Sequence, residues 1–492
     1  MVRTGGIVAA GHEAVAAAGA EALAAGGNAF DAVVACGFAS AVAEPGFTSL
    51  AGGGFLLART GAGDCTLLDF FVDTPGRGLS PAERTPAFDE VVVRFPAAEQ
   101  RYHCGLGSVA VPGCLPGYLE AHRRLGRLDL AEVVAPAVRL AGGGVEVSSS
   151  QSEDFLLLAP IFERTDAARA LFFPHGTLLR AGDVMRNQDL AGFMAAVGAD
   201  PTTGFGSGPA HDALVDQMVR GHGLVTAADL TSYRVTEREP LAVTFAGHRV
   251  LTNPGPSFGG RLIGLALDLL TEAAPLPAAG SPALATTLAR VMAEVDRRRD
   301  EVRDDPTRPT SVRGTTHVSV ADDEGNVASM TTSNGECSGD VVPGTGVMLN
   351  NMLGEDDLHP DGFHAGQPGR RVASMMAPSA VLEDRGRVVL VLGSGGSKRI
   401  RSAIVQVLVA HLVHGTGLAD AVRAPRIHWD TDHVEVEPGL APEVLAALAA
   451  LAPVNVWPAP SLYFGGVHAV VPGSVGVGDA RRGGAVRVVS RR

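Results

Sequence analysis

The stretch Gly314-Thr315-Thr316-His317-Val318-Ser319-Val320-Ala321-Asp322-Asp323-Glu324-Gly325-Asn326-Val327-Ala328-Ser329-Met330-Thr331-Thr332-Ser333 decides how this chain is read. Thr315 to Val320 is a β-branched run with polar residues on alternate positions, and Val327 to Ser333 is a second strand. Asp323-Glu324-Gly325-Asn326 between them is turn chemistry, so the segment predicts a hairpin. A three-residue loop at 323–325, with Gly325 supplying the positive φ, sets Thr315 directly opposite Ser333. Opposed Cβ atoms lie about 4.5–5.5 Å apart, close enough for two hydroxyls to hydrogen-bond. A slip of one residue would bring Thr332 or Asn334 there instead.

Asp304 to Gly314, immediately upstream, is polar and carries Pro306 and Pro309, so it predicts a solvated, protease-accessible loop. The position matters because a threonine hydroxyl is a weak nucleophile until a base takes its proton. One such base is the threonine's own α-amine once it is a chain terminus, with a pKa near 7.7–8.0. Creating that amine at Thr315 requires cutting the Gly314–Thr315 bond, and a glycine on its acyl side lets the hydroxyl approach a strained carbonyl.

Around this core the chain has 492 residues, with 62 glycines and 31 prolines, which predicts a packed protein with many tight turns. A formal charge of −13 is the wrong sign for a nucleic-acid surface. Five cysteines (Cys36, Cys65, Cys104, Cys114, Cys337) show neither metal spacing nor a C-x-x-C pair and read as reduced thiols of a cytoplasmic protein. The short apolar stretch before His12 is too brief for a secretory segment, and Ile400 to Val413, the longest apolar candidate, holds Arg401, Gln406 and His411, so no membrane span is expected. Helices are expected at His12–Ala25 and Phe30–Ala43, strands at Gly54–Arg59 and Cys65–Phe71, a helical middle from Pro116 to Arg303 broken at 142–152 and 273–283, and a strand-rich remainder with helices at 399–413 and 442–451.

From Gly5 onward the sequence resembles the γ-glutamyltransferase (γ-glutamyltranspeptidase) family of N-terminal-nucleophile hydrolases. The resemblance rests on Gly26-Gly27-Asn28-Ala29-Phe30-Asp31-Ala32, Glu44-Pro45, Gly52-Gly53-Gly54-Phe55, Val111-Pro112-Gly113, Pro254 to Gly260, Thr315 to Val320, Leu349-Asn350-Asn351, Ser374-Met375, Gly393-Ser394-Gly395-Gly396 and Ala424-Pro425-Arg426-Ile427-His428. It implies an α+β fold, a four-layer αββα sandwich, made by a precursor that cleaves itself into a large chain, 1–314, and a small chain, 315–492, which stay associated. It also implies that Thr315 is the nucleophile, that Ser333 is the hydroxyl that hydrogen-bonds it, and that Gly395 and Gly396 form the oxyanion hole. No cofactor or metal is implied, and the partner is a small-molecule substrate.

The substrate pocket departs from the family pattern. Phe71 stands where an arginine grips the substrate α-carboxylate, Gly335 replaces an asparagine, Met352 a glutamine, and of a serine pair only Ser374 remains beside Ala373. Glu355, Asp356 and Asp357 surround the acidic position that holds the substrate amine, and the short stretch from Asn351 to Ser374 suggests a short lid or none. The expectation is an amidase-type centre behind an altered pocket, acting on γ-glutamyl or related amides. The alternative is a member turned in a natural-product pathway to another bond, such as a C–C bond next to a carbonyl. Arg370, Arg371, Lys398 and Arg399 are read as solvated charges rather than replacement anchors. Gly255-Pro256-Ser257-Phe258-Gly259 fits a serine nucleophile elbow, with Ser257 as its nucleophile, but two prolines crowd it. His428 to His433 reads as a solvated loop rather than a metal site, His317 as a core histidine, and a catalytically dead binding protein is the non-enzymatic alternative.

Overall fold

The computed structural model describes residues 4–94, 99–299, 310–311, 314–354, 363–364 and 366–490. The hairpin forms in the expected register: Thr315 pairs with Ser333, Ala321 with Val327, and Gly325 takes a φ of 87°. Asp322 ties the turn together. Its carboxylate accepts the backbone N–H groups of Glu324 and Asn326 and the Asn326 amide, and it also accepts the Ala29 N–H at the start of a helix.

The hairpin lies inside a seven-stranded antiparallel sheet whose order is Ala485–Ser490, Thr4–Ala10, Thr315–Asp322, Val327–Ser333, Gly53–Arg59, Cys65–Phe70 and Thr236–Arg238. A second antiparallel sheet runs Val475–Val477, Gly466–Val471, Val388–Gly395, Ser379–Leu382, His248–Thr252 and Leu241–Phe245. Both sheets therefore mix strands from before and after residue 314.

Alternation along Thr315–Asp322 separates two environments. Val318 and Val320 join the apolar core under the helices Glu13–Ala24 and Ala29–Ala43. The latter helix is buried at every position, and Asn28 and Asp31 close its N-terminus as a capping box. On the other face Ser319 donates to the His468 carbonyl at 3.0 Å, and Ser329 on the partner strand donates to that of Leu392, so polar groups stitch the two sheets. Gly393 is small because the His317 ring fills the space that its Cβ would take. Helices Gly259–Glu272, Pro282–Arg297 and Arg399–Leu408 pack with the second sheet, completing the αββα sandwich.

Several elements depart from the expectations. Thr4–Ala10 is a strand paired on both sides; buried on both faces, it lacks the alternation that marks a half-exposed strand. The middle is not wholly helical, since 236–252 contributes three strands, and the stretch 142–152 gives way at Ser149 to a helix capped by Ser148 and Gln151. The supposed loop at 428–433 is part of a hairpin of Ile427–Asp430 and His433–Val436, in which His428 is buried and hydrogen-bonded to Ser402 at 2.7 Å. No described helix is long and apolar enough to cross a membrane, and the described residues contain no cluster suited to a metal.

Candidate active site

Gly314 and Thr315 are joined, and Ser333 sits against the bond between them. Its Oγ donates to the Gly314 carbonyl oxygen at 2.6 Å and accepts the Gly335 N–H at 3.1 Å, while the Asn334 N–H lies 3.4 Å from the same carbonyl. The register of the hairpin produces this contact, because the residue opposite Thr315 is the one that reaches the preceding carbonyl. Gly314 has a φ of 38°, and a Cβ there would overlap the Gly335 carbonyl oxygen, so two glycine backbones meet where side chains could not. A hydroxyl that donates to a carbonyl oxygen draws electron density from its carbon.

Gly395 and Gly396 close the site from the second sheet. A Cβ on Gly395 would overlap the Thr315 carbonyl oxygen, and Gly396, with a φ of 115°, would meet the Gly465 Cα at 2.7 Å. The Arg399 N–H bonds back to the Gly396 carbonyl at 3.0 Å as the helix Arg399–Leu408 begins, which brings a helix N-terminus to this corner. Arg482 Nη1 donates to the Thr315 carbonyl oxygen at 2.9 Å.

On the helix side Thr316 donates to Glu44 Oε1 at 2.8 Å. Burial pushes the Glu44 carboxyl up to about 7, against the opposing influence of the Thr316 bond and the Arg482 charge. His317 is held between Thr331 and Ser319 at 2.8 and 3.0 Å, and burial keeps it well below the usual histidine range. It is a neutral core histidine, as its sequence context suggested.

Phe71 is buried in the apolar core, stacked on Phe55 with ring centroids 5.5 Å apart, and Met352 lies in the same core. Ser374 is buried and accepts the Met376 N–H at 3.1 Å. All three are as fully buried as Thr315 and Ser333 are, and among the described residues of the set Gly335 adjoins the Gly314–Thr315 bond. Glu355, Asp356 and Asp357, and with them much of the lid segment, lie outside the described residues.

The arginines are corrected in the opposite direction. Arg371 is not a surface charge: it is buried, 3.4 Å from both Asp69 and Asp73, and bonds the Phe71 carbonyl and the Tyr233 hydroxyl. Arg399 is 3% exposed and lines a narrow cleft with Gly314, Gly396, Arg482, Asp154 and Glu336. Sequence patterning missed Asp154, Glu336 and Arg482, because only the packing of distant segments brings them together. Ser257 is buried and donates to the Ser374 carbonyl at 2.5 Å, which commits the hydroxyl proposed for a serine elbow to a structural bond.

Two antiparallel sheets between helical layers, with a glycine–threonine bond at the head of a central strand, define an αββα hydrolase-type sandwich. The gamma-glutamyltranspeptidase family model matches residues 15–310 and 284–489, and the chain belongs to that family. The Acylase ACY 1 proenzyme of Pseudomonas sp. (strain SE83) is 32% identical over 482 residues, covering 90% of this chain and 86% of that protein. The Glutathione hydrolase proenzyme of Escherichia coli (strain K12) is 28% identical over 477 residues, covering 86% and 81%. A cephalosporin acylase from Bacillus halodurans shares the fold, with a TM-score of 0.81 at 24% identity over 99% of this chain and 96% of that one.

Proposed function

We propose that the chain is a self-cleaving acyl-transfer enzyme that hydrolyses or transfers the acyl group of an amide through Thr315. In the first reaction the Thr315 hydroxyl adds to the Gly314 carbonyl carbon while Ser333 and the Asn334 N–H hold the developing oxyanion. The C–N bond breaks, the Thr315 nitrogen takes a proton, and water then hydrolyses the resulting ester. That step leaves a carboxylate on Gly314 and an amine on Thr315.

In the second reaction that amine, once neutral, takes the proton of its own hydroxyl, and the alkoxide adds to the substrate acyl carbon. The N–H groups of Gly395 and Gly396 receive the charge, the leaving amine takes the proton, and water or another amine releases the acyl group. The observation that carries this reading is the 2.6 Å contact of Ser333 with the carbonyl before Thr315, on a register that pairs those two residues. The names of the relatives, an acylase and a glutathione hydrolase, both proenzymes, support the same chemistry. With Phe71 buried on Phe55, the reading favours acyl groups other than γ-glutamyl. The two products stay together because each sheet contains strands of both.

The test is the mass of the 315–492 fragment after incubation with γ-glutamyl amides, other N-acyl amino acids and keto acids. An added acyl mass that is lost on reaction with hydroxylamine supports the reading; a cut protein that no amide acylates or turns over contradicts it.

A further inference from the structure

His317 touches all three strands that carry the reacting groups. It follows Thr315 by two residues, and its Cα partner Thr331 precedes Ser333 by two, so alternation puts these four residues on one face of the first sheet. Gly393 precedes Gly395 by two on a strand of the second sheet, and a Cβ there would overlap Cε1, Nδ1 and Nε2 of the His317 ring. The ring therefore rests on that glycine. Hydrogen bonds fix its orientation. Ser319 gives its one proton to the His468 carbonyl at 3.0 Å, so toward Nε2, also at 3.0 Å, its oxygen accepts and Nε2 carries the hydrogen. Nδ1 of the neutral ring then accepts the Thr331 hydroxyl at 2.8 Å. His468 is the strand partner of Gly393, so a chain of bonds that starts on the Ser333 strand ends on the strand pair that holds Gly395. Ser329, which donates to the Leu392 carbonyl, joins the sheets farther from the Gly314–Thr315 bond.

We propose that His317 is a positioning residue for acyl transfer: its ring spaces the Thr315 strand from the Gly395 strand, and its bonds to Thr331 and Ser319 hold Thr315 and Ser333 in register with the oxyanion glycines. The assignment rests on the acyl-transfer reading of Thr315 and adds the residue that spaces its parts. His317 moves no proton in this role, since both ring nitrogens are engaged with hydroxyls of the core. A shift of about 1 Å between reacting groups is enough to cost about 100-fold in rate, so the spacing has a kinetic signature.

The test acetylates the full-length, self-processed protein with p-nitrophenyl acetate: the Thr315 oxygen takes the acetyl group, its amine takes the hydroxyl proton, and p-nitrophenolate leaves. The rate is read across a pH series as hydroxylamine-labile acetyl mass on the 315–492 fragment. His317→Phe keeps a ring on Gly393 without its bonds, and Gly393→Ala places a methyl where the ring lies. Each should slow acetylation about 10- to 100-fold, with the apparent pKa of the Thr315 amine unchanged. Gly393→Ala/His317→Asn should be at least about fivefold faster than Gly393→Ala, because asparagine keeps a partner for Thr331 and vacates the space of the ring. Self-cleavage is timed on the same variants, and a folded variant that stays uncut counts as slowed. Melting temperatures report on the fold, and if His317→Phe does not fold the Gly393 pair decides. A double variant no faster than Gly393→Ala, or a His317→Phe variant as fast as the wild type, overturns the proposal and leaves acyl transfer standing. An apparent pKa that moves with His317 overturns it as well, by making the histidine a proton carrier. A wild type that is not acetylated at Thr315 removes the acyl-transfer reading and this role with it.

Discussion

Gly314 is constrained by a left-handed φ and by the Gly335 carbonyl oxygen, which occupies the place of its Cβ. Gly314→Ala should therefore leave the precursor uncut on a denaturing gel, by moving the carbonyl off Ser333. Ser333→Ala removes one oxyanion donor and should slow self-cleavage about 10²- to 10³-fold, measured as the appearance of the two fragments. Glu44 lends itself to a pH experiment. Its carboxyl is raised in the folded protein to about 7 from the usual value near 4.5, so its favourable contribution is complete below that usual value and is lost as pH rises through 7. Comparing pH 4.5 with pH 8, the wild type should lose roughly 3 kcal/mol more stability than Glu44→Gln, which keeps the bond to Thr316 without the ionisation. Equal slopes in denaturant titrations at the two pH values would show that Glu44 is not the group responsible. At this scale Ser333 was legible because turn length fixes register. Arg399 was not: arginines are mostly exposed, and no local pattern reports burial at a cleft wall.

The hairpin is the element on which the site depends, and Asp322 is its fastening. Asp322→Ala would strand the buried N–H groups of Asn326 and Ala29 and should cost about 3 kcal/mol, read as a lower denaturation midpoint. Arg127→Ala, which removes an exposed pair with Glu324 on the same turn, should cost well under about 1 kcal/mol. Legibility at this scale followed turn and cap chemistry, since both elements it revealed are buried throughout. Val327–Ser333 was readable from its β-branched alternation and its turn, and Ala29–Ala43 from its Asn28 cap. Thr4–Ala10 and the 427–436 hairpin were not, since burial on both faces erases the first signal and the polar run 428–433, of which His428 is buried and Thr431 and Asp432 are exposed, disguises the second.

The whole molecule is one sandwich built by both sides of a single bond. The strand Thr4–Ala10 lies between Ala485–Ser490 and Thr315–Asp322, and Ser379–Leu382 pairs with His248–Thr252, so separating the products of a cut would tear both sheets. The fragments should co-elute in size-exclusion chromatography without denaturant and part only on unfolding. The αββα class was legible from the ordered motifs, whereas the cleft was not, because it forms where Phe47, Asp154, Leu158, Glu336, Arg399 and Arg482 converge from distant segments. The most direct measurement is the intact mass of the freshly purified and the incubated protein, with N-terminal sequencing of the smaller product. The account predicts conversion of the 50.5 kDa chain into two fragments, the smaller beginning Thr315-Thr316-His317, and no conversion in Thr315→Ala. A wild-type chain that remains whole, or one cut at another bond, would contradict it.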